Sequence, residues 1–396
     1  MNHYFLIINV GSTSIKSRLF TADLQAAAVL AADYGTENGM SISGRDLQHA
    51  SLTKTAPNCR DTASALTAVL SLWQQWITEA NVTISAIGHR VVHGASWFDK
   101  VTPITPDVLK QLEQLDSYAP LHNPFNRLGI AMAGDYFPAS RQFAVFDTAF
   151  HRHIPDFAGR YAIPEQLSAH VDFYRYGFHG ISCQHSLLAA ADILGKPPNQ
   201  LNLIVLHLGG GASATAISKG ISVDTSMGFS PTEGLMMASR CGDLDPMITL
   251  TLQREGKTPE QLDHLLNHQS GLRGVGGDSD MRRILQRAEQ QDSAAQLALT
   301  MFCYRIKKYI GAYCAILGEI SALIFTGGIG EYAVAVREKI LTGLEPLGFT
   351  LDLQKNQCCV GQNGIVSALS SRFPILVIQA EEERVCAQQI LTYLDE

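Results

Sequence analysis

Arg90, Asp147, His179 and Arg240 are the residues of this chain whose settings best suit the chemistry of anions. Arg90 lies between histidines in Gly88-His89-Arg90-Val91-Val92-His93-Gly94. Its planar fork suits a carboxylate or a phosphate, and a surface salt bridge is the plainer use. The glycines at both ends favour a functional turn. Asp147 closes the apolar run Gln142–Phe146, where α/β proteins place metal or substrate ligands and where an aspartate equally caps a helix. His179 follows Gly177-Phe178 and precedes Gly180. Arg240 lies among small residues in the segment Asp224–Pro246, which also holds Pro231. Two arginines and a histidine could neutralise a phosphoryl group in transfer. Pro120 and Pro124 bracket His122 and Asn123 and stiffen the chain there, with Leu121 as a candidate pocket wall.

Two glycine-rich turns offer phosphate cradles. The first is Asn9-Val10-Gly11-Ser12-Thr13-Ser14-Ile15-Lys16, and the second His207-Leu208-Gly209-Gly210-Gly211-Ala212-Ser213. Each follows an apolar strand, and they stand half a chain length apart, which suggests two similar domains. Unobstructed backbone N–H groups in such turns are what a phosphate needs, and two of them flanking a cleft would grip a polyphosphate. Lys16 could reach a phosphate oxygen, although an ordinary hairpin carries the same residues. The Walker A pattern is absent. Gly327-Gly328-Ile329-Gly330-Glu331 reads as a strand–turn–helix suited to a nucleotide at a helix N-terminus. Ser279-Asp280-Met281-Arg282 is a further candidate. Glu381-Glu382-Glu383 opens the last helix, where acidic residues commonly complement the helix dipole.

These residues need strands and helices to carry them. Strands are expected over Phe5–Val10, Ser14–Asp23, Ile84–Val92, Gln142–Phe146, Ala322–Phe325 and Ile375–Ile378, with a second meander over Leu203–Leu208, Ala214–Ile217 and Ile221–Asp224. Helical spacing runs over Thr62–Glu79, Ile104–Leu115, Ser182–Leu194 with Ser182 as cap, Ser293–Leu317, Glu331–Leu341 and Glu381–Asp395. The polar stretch 33–58 reads as hairpins and loops. The alternation indicates α/β domains with mixed sheets. Two domains are expected in 396 residues: 1–149, completed by a C-terminal helix at about 384–396, and 150–383, with the crossing in Thr148–Ala162.

Composition narrows the function classes. A net charge of −7 argues against a general binder of nucleic acid or anionic membrane. The eight cysteines form no C-x-x-C pair, which disfavours a zinc or dithiol site and fits free thiols in a reducing cytoplasm. The N-terminal apolar run lacks a positive flank and ends at Gly11, unlike a signal peptide. Glycine and polar residues interrupt the uncharged stretch 200–218, which speaks against a membrane span.

Taken in order from Ile7 to Glu383, these segments resemble the acetate kinase family, the acetokinases that include propionate kinases. The resemblance implies the duplicated two-domain α/β fold, with mixed sheets, shared by acetate and sugar kinases, actin and heat-shock ATPases. It also implies a homodimer and transfer of phosphate from ATP to acetate, giving ADP and acetyl phosphate, with Mg²⁺ and with Mn²⁺ as a substitute. By position, Asn9 and Glu382 match the metal site, and Lys16 the phosphate-site lysine. Arg90 matches the carboxylate ligand, and Val92, Leu121, Phe178 and Pro231 the methyl pocket. Asp147 matches the catalytic aspartate, and His179 and Arg240 the transition-state stabilisers. His207, Leu208, Gly209, Gly210 and Gly211, then Asp280, Met281 and Arg282, then Gly328, Ile329, Gly330, Glu331 and Tyr332 match the nucleotide segments. The chain departs from the family pattern at Gly210 and Tyr332, each in place of asparagine, at Ile181 and Cys183, and at Ala380–Glu383. A pyrophosphate-dependent or propionate-preferring member is the nearest alternative. A nucleotide-switched binding protein like actin would need the phosphate turns but neither Arg90 nor Arg240.

Overall fold

The computed structural model describes residues 3–36, 39–56, 59–120, 122–169 and 171–395. Contacts divide the chain into two units, Met1–Ala149 with Glu381–Glu396, and Phe150–Ala380. The segment returning to the first unit begins at Glu381, and an ion pair between Glu382 and Arg90 ties it there.

In the first unit an antiparallel meander runs β1 (His3–Val10), β2 (Ser14–Thr21), β3 (Ala26–Thr36), β4 (Gly39–Arg45) and β5 (Ser51–Ala56). After α1 (Thr62–Glu79) come β6 (Thr83–Val91), β7 (Thr102–Pro103), α2 (Pro106–Gln114), α3 (Asn123–Tyr136) and β8 (Arg141–Phe146). The sheet order is β5-β4-β3-β2-β1-β6-β8-β7, with β6 and β8 parallel to β1. The run Phe5–Ile8 of β1 is apolar because both its faces are covered. Leu6, Ile8 and Val10 share a core with Leu66, Val69, Leu70 and Trp73 of α1, while Phe5 and Ile7 are buried on the other face. Asp61 caps α1 by accepting from the Ser64 N–H. Trp73 donates its indole N–H to Ser17 Oγ at 2.8 Å, so its one polar atom is satisfied. Full burial of each such side chain contributes about 1.5–3 kcal/mol. The polar stretch 33–58 supplies the outer strands. Met40 and Ile42 point inward, and β5 is a largely exposed edge carrying Lys54.

The second unit runs α4 (Asp156–Gly159), α5 (Gly180–Leu194), β9 (Leu203–Leu208), β10 (Ala212–Ser218), β11 (Ile221–Thr225), α6 (Pro246–Arg254), α7 (Pro259–His268), α8 (Gly271–Gly276), α9 (Met281–Glu289) and α10 (Ser293–Leu317). It continues through β12 (Ala322–Thr326), α11 (Gly327–Tyr332), α12 (Val334–Leu341), α13 (Leu353–Cys358), β13 (Gly364–Ile365) and β14 (Ile375–Val377). The sheet order is β11-β10-β9-β12-β14-β13. β9, β10 and β11 are antiparallel neighbours, β12 is parallel to β9, β14 is parallel to β12, and β13 is an antiparallel edge. The first unit repeats this in β3-β2-β1-β6-β8-β7, strand for strand and direction for direction. The two sheets are one topology used twice.

The last helix, α14 (Glu382–Asp395), packs on β1, β2, β6 and β8 of the first unit. Gly88 in the middle of β6 makes this approach possible. A Cβ there would lie 2.4 Å from Ile390 Cδ1 and 2.6 Å from Ile7 Cδ1. Gly88 is therefore a packing glycine within a strand, not the end of a functional turn. Among the described residues no helix is long and apolar enough to cross a membrane.

Candidate active site

In the first unit the carboxyl ends of β6 and β8 lie side by side, with Arg90 opposite Val145 and Val91 opposite Phe146. That register sets Asp147 beside Arg90. Arg90 Nε donates to both Asp147 oxygens at 3.1 Å, and its Nη2 donates to Oδ2 at 2.6 Å. Nη1 meets Glu382 Oε2 at 2.8 Å. The Asp147 side chain is 2% exposed, so its charge is held almost without water. Burial pushes the Asp147 carboxyl up, against the pull of Arg90. Burial also opposes the charge on Arg90, but the two carboxylates outweigh it and raise the guanidinium further. Asp147 thus ligates an arginine and does not cap a helix. Of the three glutamates, Glu382 alone is ion-paired to Arg90, while Glu381 pairs with Arg18 at 3.7 Å and Arg384 at 3.5 Å.

Strand β6 runs on into a segment clamped by α3. Asn126 accepts from the Val92 N–H at 3.0 Å and donates to the Val10 carbonyl at 2.8 Å. Asn123 accepts from the His93 N–H at 3.1 Å and donates back to the His93 carbonyl at 3.0 Å. One helix turn therefore fixes Val92 and the chain entering the first glycine turn together. Gly94 gives Phe146 room: a Cβ would lie 2.8 Å from its ring. His89 is buried against Gln142, and burial brings its pKa down to about 4. Asn9 and Lys16 face each other across β1 and β2, so their side chains share a face. Leu121 lies outside the described residues.

In the second unit His179 precedes α5 with φ +57°, a left-handed backbone uncommon for histidine. Its Nδ1 lies 3.0 Å from Ser213 Oγ, and its ring stacks on His207 at 4.1 Å. His207 Nδ1 lies 2.7 Å from Ser182 Oγ. Ser182, expected as the cap of α5, instead sits inside the helix and serves His207. Gly211 leaves space for His179, since a Cβ there would approach Nε2 to 3.2 Å. Gly210 is exposed with nothing within 4 Å of a would-be Cβ, and its carbonyl accepts from the Ala238 N–H. Arg240 donates from Nη1 to the Pro231 carbonyl at 3.1 Å, and burial lowers its pKa. Phe178 is buried, with its carbonyl 3.0 Å from His151 Nε2.

Sequence reasoning missed what holds this segment. Arg175 donates to Glu233 at 2.7 Å and to the carbonyls of Thr225 and Ser226, and Tyr161 donates to the other Glu233 oxygen. Arg175 and Tyr161 lie outside the glycine-flanked motifs that drew attention, and their pairing is wholly long-range.

Gly327 touches the end of β9: at φ +76° a Cβ would lie 2.8 Å from the Leu208 carbonyl oxygen. Thr326 pairs with His207, so the Gly327–Tyr332 segment and the glycine turn after β9 are neighbours. The glycines form helix α11 itself rather than a turn before a helix. The helix expected over Glu331–Leu341 is interrupted at Ala333, whose φ −91° and ψ 79° are not helical. Tyr332 is 57% exposed, and its ring lies over Gly361. Asp280 caps α9, accepting from the Arg282 N–H, and its ion pair with the Arg282 side chain lowers the carboxyl to about 2. Met281 is buried.

Among the described residues no cluster of three or more His, Cys, Asp or Glu could hold a metal ion. Asn9 and Glu382 offer one amide oxygen and one carboxylate in the first unit. That set suits Mg²⁺, which keeps most of its waters and takes few protein ligands beside phosphate oxygens.

The acetokinase family model matches residues 4–388. The chain is 44% identical over 387 residues to an acetate kinase of Sulfurovum, covering 97% of each chain. Among solved structures it resembles a propionate kinase from Francisella tularensis, at 36% identity, 98% coverage of each chain and TM-score 0.90. It also resembles an acetate kinase from Porphyromonas gingivalis, at 34% identity, covering 99% of this chain and 100% of that one, with TM-score 0.87.

Proposed function

The chain belongs to the acetokinase family, and from that premise we propose that it is an acetate kinase, moving a phosphoryl group reversibly between ATP and acetate. The observation that carries this reading is Arg90, a partly buried and permanently charged fork held in place by Asp147 and Glu382. Acetate is ionised at neutral pH, so the reaction needs no strong base. It needs an anion brought to an anion. Arg90 binds the acetate carboxylate, and its three contacts with Asp147 support a role for Asp147 in orienting the arginine rather than in taking a proton. By the family resemblance, Val92, Leu121, Phe178 and Pro231 are assigned to the recognition of the methyl group.

His179 and Arg240 stabilise the phosphoryl group in transfer. In the tautomer where Nδ1 accepts from Ser213 Oγ, 3.0 Å away, His179 would carry its proton on Nε2 and donate from there. Lys16, His207–Gly211, Asp280–Arg282 and Gly328–Tyr332 bind the nucleotide. Asn9 and Glu382 would hold Mg²⁺, or Mn²⁺ in its place, and the ion would offset charge on the phosphates. The exposed apolar side chains of Leu244, Met247, Ile248, Leu250 and Tyr304 support a homodimer. The absence of disulfides among the described cysteines supports a cytoplasmic location.

The deciding assay incubates the protein with ATP, Mg²⁺ and acetate and traps acetyl phosphate with hydroxylamine. Acetate-dependent hydroxamate and ADP are expected, and ADP release indifferent to acetate would refute the reading. One observation favours a second donor: the exposed Tyr332 ring, where the family pattern has asparagine, could narrow the adenine site and leave pyrophosphate as the better substrate.

A further inference from the structure

Arg337 on α12 is the only fully buried arginine among the described residues. Its hydrogen bonds all go to neutral oxygens. Nε donates to Asn356 Oδ1 at 2.7 Å. Nη1 donates to the carbonyls of Gly330 and Glu331 at 2.8 and 2.9 Å. Nη2 donates to the carbonyls of Asn356 and Cys359 at 2.9 and 2.7 Å. Among the described residues no carboxylate pairs with it. A guanidinium keeps its charge even when buried, so something other than a counter-ion must compensate for its lost hydration. Here the carbonyls come from the last turns of two helices, α11 and α13, where unsatisfied C=O groups gather partial negative charge. One side chain therefore locks the two helix ends together.

The locked segment carries Tyr332. The Glu331 carbonyl also accepts from the Gly361 N–H at 3.3 Å, and the Tyr332 ring lies against Gly361, where a Cβ would come within 2.6 Å of it. Backbone and ring at 330–332 are thus placed by Arg337 on one side and Gly361 on the other.

We propose that Arg337 is a positioning residue for the phosphoryl donor, acting through Gly330, Glu331 and Tyr332. The proposal rests on reading 328–332 as a nucleotide segment. A merely structural arginine would, when replaced, lower the melting temperature and the active fraction, hence kcat, and leave both Michaelis constants in place. A positioning arginine moves one constant and spares the other.

The test uses the full chain as wild type, Arg337→Lys and Asn356→Ala, measuring KM for ATP, KM for acetate, kcat, thermal unfolding, and ADP binding by calorimetry. Lysine cannot span five acceptors, so KM for ATP and Kd for ADP should rise about tenfold. Asn356→Ala removes one acceptor and should raise both by about threefold. KM for acetate should stay within about twofold in each, since no contact with the Arg90 cluster changes. If Arg337→Lys does not fold, Asn356→Ala decides. An unchanged KM for ATP, a parallel rise in both constants, or a loss confined to kcat and melting temperature would overturn the proposal while wild type still binds nucleotide. Wild type that binds neither ATP nor ADP would overturn the functional reading itself, and this proposal with it.

Discussion

Replacing Arg90 with alanine should damage the protein twice, in stability and in catalysis, and pH separates the two. The substitution removes three hydrogen bonds to a carboxylate that is 2% exposed. Asp147 is then a buried charge without its counter-charge, a change that costs about 3–5 kcal/mol. Burial already holds the Asp147 carboxyl above its ordinary value, with Arg90 pulling it back. Without Arg90 it rises further. Between the unfolded and the folded carboxyl pKa the folded protein binds one more proton than the unfolded chain, so stability falls as pH rises. The penalty is therefore full above the raised pKa and relieved as pH drops through it. Thermal unfolding of wild type and Arg90→Ala at pH 8 and pH 5.5 should show the gap in melting temperature shrinking at the lower pH. Adding Asp147→Asn to Arg90→Ala should recover much of the lost stability at pH 8, because the buried charge is gone, and should recover no hydroxamate-forming activity. A gap that is the same at both pH values, or a double variant no more stable than Arg90→Ala, would show that Asp147 does not depend on Arg90 for its charge.

Arg240→Ala should lower kcat by about 10²–10³-fold; full activity in the folded variant would remove Arg240 from the catalytic set. Acetate should be preferred over propionate, by a factor set by one methylene at about 1–3 kcal/mol. Val92→Ala should narrow that preference in a comparison of kcat/KM, and equal or higher kcat/KM for propionate in wild type would refute it. In a donor panel of ATP, GTP and pyrophosphate at fixed acetate and Mg²⁺, ATP should be used best. Turnover with pyrophosphate alone would show that Tyr332 closes the adenine site.

Strands with both faces covered announce themselves, and β1 and β9 were legible from the apolar runs Phe5–Ile8 and Leu203–Leu206. So were α1 and α10, whose buried positions recur at helical spacing. Arg90 and Asp147 were legible as separate features, because each stands near the carboxyl end of an apolar strand. Their bidentate pairing was not, since it follows from the register of β6 on β8, a long-range property. Three consecutive glutamates could not be told apart by composition; the placement of α14 on the sheet selects Glu382 for Arg90. Ser182 looked like a cap because local sequence favours serine there, and a tertiary partner, His207, claimed it instead. Gly88 was misread for the complementary reason. What it accommodates is Ile390, about 300 residues further along the chain.

Helix α14 is made after the whole second unit and packs on the sheet of the first. While the ribosome still holds α14, Ile7 and Gly88 lack the Ile390 side chain that lies against them, and Arg90 has Asp147 but not Glu382. Domains usually finish in order from the N-terminus during translation, and here the N-terminal one must wait for the C-terminal one to emerge. A truncated or unfinished chain can therefore make the strands of its first sheet and yet lack the full charge cluster around Arg90. Assembly of the full cluster therefore waits until α14 has been made.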